Sequence, residues 1–275
     1  MDPSGAQRAS ERTRPGRRLT LLALIIALMG IAAFPSTASA ASLKVVIVVG
    51  PVESMTSTYI ADARLLAKQA RSYGAAVTEI YSPYATWSRV RTAVQGANLL
   101  IYLGHGNGTP SPYPYSPLSK NGLGLNAASG RGNSNNKYYG EYYVRTYLRL
   151  APDAVVILNH LCYSAGNSEP GAALPTRSVA RQRIDNYGAP FLKIGAKAVF
   201  AEARNAAGYI LYSLFRTNRT MSQIFWASSQ ATRTYRWTFT STRTSGASGI
   251  SDPYAPSRYY RSVVGKLATA ASAFR

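Results

Sequence analysis

The sequence predicts an α/β protein, a three-layer α/β/α sandwich with a mostly parallel central sheet. Two observations point there and a third makes it one domain. From Leu43 onward, apolar runs of strand length alternate with amphipathic stretches of helix length, the pattern of parallel strands joined by crossover helices. The first run, Lys44-Val45-Val46-Ile47-Val48-Val49, is continuous and β-branched, which suits a strand buried on both faces. The chain has a single Cys, so no internal disulfide can form. The roughly 235 residues after a leader must be held by a hydrophobic core, which that length can supply as one domain.

The elements follow in order. The first strand stops at Gly50-Pro51. Thr56, Ser57 or Thr58 can cap a helix with Ile60, Ala63 and Ala67 on one face, closed by Gly74. Residues 76–81 read as a second strand. Trp87, Val90 and Val94 mark a second helix ending at Gly96, and residues 98–103 form a third strand running into Gly104-His105-Gly106. Residues 104–136, rich in Gly, Pro, Asn and Ser, read as a long functional loop. Residues 138–150 predict a helix with Tyr139, Tyr143 and Tyr147 at i, i+4 spacing, stopped by Pro152. Residues 154–159 are the fourth strand, leading into His160-Leu161-Cys162-Tyr163-Ser164-Ala165-Gly166. A helix carrying Val179, Ile184 and Tyr187 precedes a fifth strand at residues 196–201. Residues 206–215 and 221–228 read as further helices. Tyr235, Trp237 and Phe239 alternate as an edge strand or ribbon, and a last helix is expected from Ser262.

The N-terminus has the order of a secretory signal. Five arginines up to Arg18 precede the apolar stretch Leu19 to Phe34, which ends in Ala38-Ser39-Ala40. The apolar stretch is short for a membrane span of ~20 residues. The expected division is therefore a signal peptide at residues 1–40 and a single domain at 41–275, with a core at 43–215 and a C-terminal extension at 216–275. On this reading the product is secreted or held in the cell envelope, with no transmembrane anchor after cleavage. Removing the leader takes five of the 31 basic and two of the 11 acidic residues and leaves 26 and 9, a net charge of +17. An exported protein so basic is suited to anionic surroundings such as envelope polymers. Nucleic acid is the less favoured partner, because the basic residues are scattered singly and no zinc-finger spacing or RNP motif is present.

In open parallel sheets, ligands bind where the carboxyl ends of the strands open into loops. His105 and Cys162 both lie just past strong apolar strands at that edge. A thiol attacks as thiolate and needs a nearby imidazole, and adjacent strand ends supply that proximity. Gly106 lets its backbone N–H approach a substrate carbonyl, so the N–H groups of Gly106 and Cys162 are candidate oxyanion donors. The structural alternative is that His105 packs under a loop and Cys162 fills core.

The segments Leu100-Ile101-Tyr102-Leu103-Gly104-His105-Gly106 and Cys162-Tyr163-Ser164-Ala165-Gly166 resemble those of the caspase-like cysteine peptidases, the group of caspases, metacaspases, legumains, clostripains and gingipains. Phe191 to Val199 is similar to the segment entering the next strand in bacterial members, and the resemblance spans about residues 43–215. It implies a caspase-like fold and an endopeptidase that cuts peptide or protein substrates through a thioester. Cys162 would be nucleophile and His105 general acid/base, with Gly106 and Cys162 as the oxyanion hole and no metal or cofactor in the chemistry. In that family the residue two before the Cys commonly lines the substrate pocket and is often acidic; here it is His160, so specificity for basic residues is not supported.

Other readings remain open. Period-two geometry puts His160 and Cys162 on one face if the strand continues that far, which allows a second base or, with His105, a three-ligand metal site. Glu53 and Glu202, after the first and fifth strands, are further candidates for the substrate pocket; Asp153 and Asp185 read as structural. The loop 104–136 can cover the groove, bind structural calcium, for which it carries no motif, or be nicked for activation. A different class of function is a catalytically idle module that binds anionic envelope polymer or glycan through its basic face and tyrosines. No G-x-S-x-G elbow, P-loop or H-E-x-x-H motif occurs.

Overall fold

Ten strands and six α-helices follow one another among the described residues: β1 (Lys44–Val49), α1 (Thr56–Ser72), β2 (Ala76–Tyr81), α2 (Trp87–Val94), β3 (Ala97–Leu103), β4 (Leu123–Asn126), β5 (Asn136–Tyr139), α3 (Glu141–Tyr147), β6 (Leu150–Asn159), α4 (Arg177–Leu192), β7 (Ala196–Glu202), α5 (Gly208–Arg216), α6 (Met221–Phe225), β8 (Trp237–Thr240), β9 (Ser248–Ser251) and β10 (Arg261–Gly265). This computed structural model describes residues 42–204 and 207–275; the expected leader, residues 1–40, lies outside them.

Eight strands form one sheet in the order β2-β1-β3-β6-β7-β10-β9-β8. The first five are mutually parallel and the last three antiparallel. The α/β/α sandwich is therefore present. Its two helical layers follow from the period of two along each buried strand. Val46 and Val48, with Leu100, Val156 and Leu158, pack against Val90 and Val94 of α2, Val144 of α3 and Ile184 and Phe191 of α4. Val45, Ile47 and Val49, with Leu99, Ile101 and Ile157, pack against Ala63 and Leu66 of α1, Ile210 and Leu214 of α5 and Ile224 of α6. Each fully buried Val, Ile or Leu contributes about 1.5–3 kcal/mol. β1, with five buried residues, is thus an anchor of the core, whereas β2, with only Ile80 buried, is a peripheral edge.

Several boundaries differ from the sequence reading. The long loop contains the hairpin β4–β5, paired from Leu123↔Tyr139 to Asn126↔Asn136. It is fastened from below by the buried Tyr102 hydroxyl, which accepts the Gly124 N–H at 2.8 Å. Tyr138 and Tyr139 belong to that hairpin, so the expected tyrosine helix shortens to α3, which starts after Gly140. Leu150 to Asp153 extend β6, Asp153 taking φ 62° at a break in the pairing. The helix expected from Ser262 is strand β10, where Val263 and Val264 are buried against β7 and β9; two adjacent β-branched residues fit a pleated surface better than a helix. Residues 216–275 thus supply three strands to the same sheet. No helix among the described residues is long and apolar enough to cross a membrane.

Candidate functional site

The site begins with strand register. β3 and β6 are parallel neighbours with Leu103 opposite Asn159, so His105 and Cys162, two and three residues further on, emerge side by side at the carboxyl edge of the sheet. The chains there are in contact. A Cβ at Gly106 would fall 2.0 Å from the Cys162 carbonyl oxygen and 2.9 Å from its nitrogen, so only glycine allows this approach. No hydrogen bond among the described residues uses the N–H of Gly106 or of Cys162. Both donors lie within one small region, without a partner among the described residues.

His105 is held from the other side. Glu53, in a short turn after β1, places Oε2 3.0 Å from His105 Nε2. Glu53 takes the left-handed φ of 46°, a conformation that costs a non-glycine residue roughly 1–2 kcal/mol. Its N–H donates to the Asn133 carbonyl at 3.0 Å, and Thr56 Oγ1 donates to the Glu53 carbonyl at 2.9 Å. The carboxylate of Glu53, a candidate for the substrate pocket, meets the imidazole. An Nε2–H donated to Glu53 leaves Nδ1 as the acceptor nitrogen of a neutral ring. No hydrogen bond joins Cys162 Sγ to His105 among those of the described residues.

Cys162 sits half-buried at the mouth of a cleft of about 450 Å³. Burial, and next the carboxylate of Glu169, push its thiol up to about 11. The resting side chain is therefore neutral at pH 7. Glu169 lines both this cleft and an adjoining pocket of about 280 Å³ that Gly106 and Tyr138 border, and it accepts a hydrogen bond from the Tyr113 hydroxyl at 2.9 Å. Arg204, whose guanidinium lies 3.8 Å from the Tyr260 ring centre, and Arg258 also line the cleft. The cleft lining thus combines a carboxylate that acts on the thiol with two cations.

His160 also lines the cleft, but it is not beside Cys162 in the way an extended strand would place it. β6 ends at Asn159, and His160 takes φ 61° while its N–H donates to the Glu202 carbonyl at 2.8 Å. That left-handed turn sends the ring toward α1, where it stacks on Tyr59 at 5.0 Å and lies 3.6 Å from Asp62. Burial lowers the His160 pKa, with Asp62 opposing. The two imidazoles meet different carboxylates, Glu53 and Asp62, and no group of three His, Cys, Asp or Glu side chains suited to a metal ion converges among the described residues.

Glu202 is the clear correction. It is 0% exposed and faces Arg261, which donates to its two oxygens at 3.0 and 3.1 Å and to Asp252 at 2.7 Å. A carboxylate so enclosed is part of the core rather than of a substrate pocket. Asp185 is likewise buried, accepting from the N–H and the hydroxyl of Thr242 at 2.7 and 2.9 Å, as its structural reading expected.

Two residues of the site escaped the sequence reading. Arg183 of α4, 5% exposed, donates to the carbonyls of Pro110 (2.7 Å) and Asn167 (2.9 Å) and lies 4.8 Å over the Tyr163 ring. It ties the loop after His105 to the loop after Cys162. Glu169, carried by that second loop, is a lone carboxylate without motif context, so no pattern flagged it. Compared with known proteins, the chain matches no family model and no curated protein sequence.

Proposed function

We propose that the chain is an exported cysteine endopeptidase acting through Cys162 and His105. The observation that carries this reading is the convergence at one strand edge of a thiol, an imidazole oriented by Glu53, and the N–H groups of Gly106 and Cys162, without a partner among the described residues. Resemblance to the caspase-like peptidases in the His105 and Cys162 segments supports it, as do the α/β/α architecture and the leader-like N-terminus.

In this mechanism Cys162 Sγ attacks the scissile carbonyl carbon while its proton passes to Nδ1 of His105. The carbonyl π electrons move to oxygen, which the Gly106 and Cys162 N–H groups stabilise. Collapse of that intermediate breaks the C–N bond, His105 returns the proton to the leaving amine, and an acyl thioester remains. Water, deprotonated by His105, then releases the acid and restores the thiol. With the thiol pushed up to about 11, His105 has to take its proton for the attack to proceed. Glu53 fixes the ring tautomer and stabilises the imidazolium that forms.

A second reading draws on the same raised thiol: a packed, idle cysteine in a binding module. Turnover separates the two. The mature chain is incubated with a mixture of unstructured peptides and cleavage is followed by mass spectrometry. The expected result is cleavage by the wild type and a loss of more than about 10³-fold in Cys162→Ala, with an unchanged melting curve. Equal rates in both proteins would overturn the peptidase reading.

A further inference from the structure

Between Glu79 and Asp153 the sequence holds one carboxylate, Glu141. It is buried, its oxygens engaged by Arg243 at 2.8 Å and the Tyr115 hydroxyl at 2.5 Å. The helices of this stretch, α2 and α3, adjoin at their ends: Gln95 Nε2 donates to the Tyr147 carbonyl and the Gly96 N–H to the Arg149 carbonyl, each at 2.8 Å. Outside them lie Arg89, Arg91 and Arg145, with Lys137 from β5, all exposed. None of the four forms an ion pair among the described residues.

Aromatic rings from α2, β5 and α3 pack together here, and two of these cations, Arg91 and Lys137, lie over them. Trp87 stacks on Tyr139 at 4.9 Å and meets Tyr143 edge-on at 5.5 Å. Tyr142 and Tyr147 continue the cluster outward and stay 45% and 36% exposed. The Arg91 guanidinium lies 5.1 Å over the Tyr147 ring, and the Lys137 ammonium 5.5 Å over that of Tyr139. Exposed rings and cations with no ion-pair partner among the described residues suit an anionic partner.

The arrangement of the rings narrows the partner. Stacking platforms for single-stranded nucleic acid offer an open ring face to successive bases. Here the rings pack largely edge to face, and cations lie over those of Tyr139 and Tyr147. Hydroxyl-bearing edges and guanidinium groups suit carboxylates and sugar hydroxyls instead. We infer that the α2–α3 face is a binding surface for an acidic polysaccharide, its carboxylates taken by Arg89, Arg91, Arg145 and Lys137 and its sugar rings by the edges of Tyr142 and Tyr147. None of these residues lines the cleft beside Cys162, so the surface stands whether or not that site is catalytic.

Any polyanion adheres to so basic a chain at low salt, so the test must localise binding. The chain is titrated calorimetrically with polygalacturonate, neutral dextran and oligodeoxythymidylate at 50 and 300 mM NaCl. Three surface double variants are compared: Arg91→Gln/Lys137→Gln, Tyr142→Ser/Tyr147→Ser, and Arg219→Gln/Lys266→Gln, which removes equal charge elsewhere; circular dichroism checks that each is folded. Polygalacturonate should bind at both salts and dextran should not. The first variant should lose about tenfold or more in affinity, the second should lose the binding that survives 300 mM salt, and the third should change by less than about twofold. Equal losses in the first and third variants would reduce the surface to diffuse charge. Tighter binding of the oligonucleotide, lost with the tyrosines, would make it a nucleic-acid surface, and no binding of polygalacturonate at 300 mM would remove it; each of these outcomes overturns the proposal.

Discussion

Two gaps at the carboxyl edge of the sheet, one between β3 and β6 and one between β7 and β10, met different fates. Beyond β3 and β6, both parallel, the two loops meet at Gly106 and Cys162, with the thiol lining a cleft and the His105 imidazole held by Glu53. One strand further along, β7 ends in Glu202, which sequence position also made a candidate for the substrate pocket. There the next strand, β10, runs antiparallel and sets Arg261 directly opposite Glu202. The guanidinium fills the gap, also reaching Asp252 and the Phe225 carbonyl at 2.7 and 2.8 Å. The carboxyl end of a parallel strand opens a site only where its neighbour's loop also opens there; an incoming antiparallel strand supplies side chains that close it.

The contrast can be broken from either side. Arg261→Met should cost most, about 3–5 kcal/mol by urea denaturation, because it removes the guanidinium that pairs with both buried carboxylates, Glu202 and Asp252. A loss below about 1 kcal/mol would mean that this gap is not a structural lock. Gly106→Ala should come next: its Cβ would overlap the Cys162 carbonyl, displacing one oxyanion donor and lowering kcat about 10²–10³-fold in a peptide assay. Near-normal kcat would show that the two strand ends do not act together. Glu53→Gln keeps a hydrogen-bonding partner but not its charge, and should lower kcat about tenfold with KM little changed; an effect on KM alone would return Glu53 to the substrate pocket. The smallest effect is expected from Glu169→Gln. Its carboxylate opposes thiolate formation, so removing it should move the alkaline midpoint of Cys162 alkylation by iodoacetamide down from about 11 and speed alkylation at pH 8. A midpoint that stays in place would leave burial as the whole cause of the raised thiol.

Much of this was legible along the chain. The runs at Lys44–Val49, residues 98–103 and residues 154–159 declared themselves as doubly buried strands, because fully covered strands admit little but apolar residues. His105 and Cys162 were legible as neighbours because each follows such a strand. The hairpin β4–β5 was not, since four-residue strands in a Gly- and Asn-rich loop carry little periodicity and are fastened by Tyr102 from another element. Nor was the strand at Arg261–Gly265, whose pairing with β7 and β9 outweighed the local pattern.

Composition and local pattern determined the layer architecture, the basic character, and the two strand ends from which the candidate nucleophile and base emerge, because burial and backbone period act over a few residues at a time. Which carboxylate would meet His105 depended on contacts between segments far apart in the chain. Glu53 and Glu202 both follow or end strands, yet one meets His105 and the other is locked under Arg261. The turn of His160 toward α1 and the seat of Glu169 near the thiol were decided in the same way. Electrostatic partners are chosen by proximity in space, which only the tertiary structure assigns.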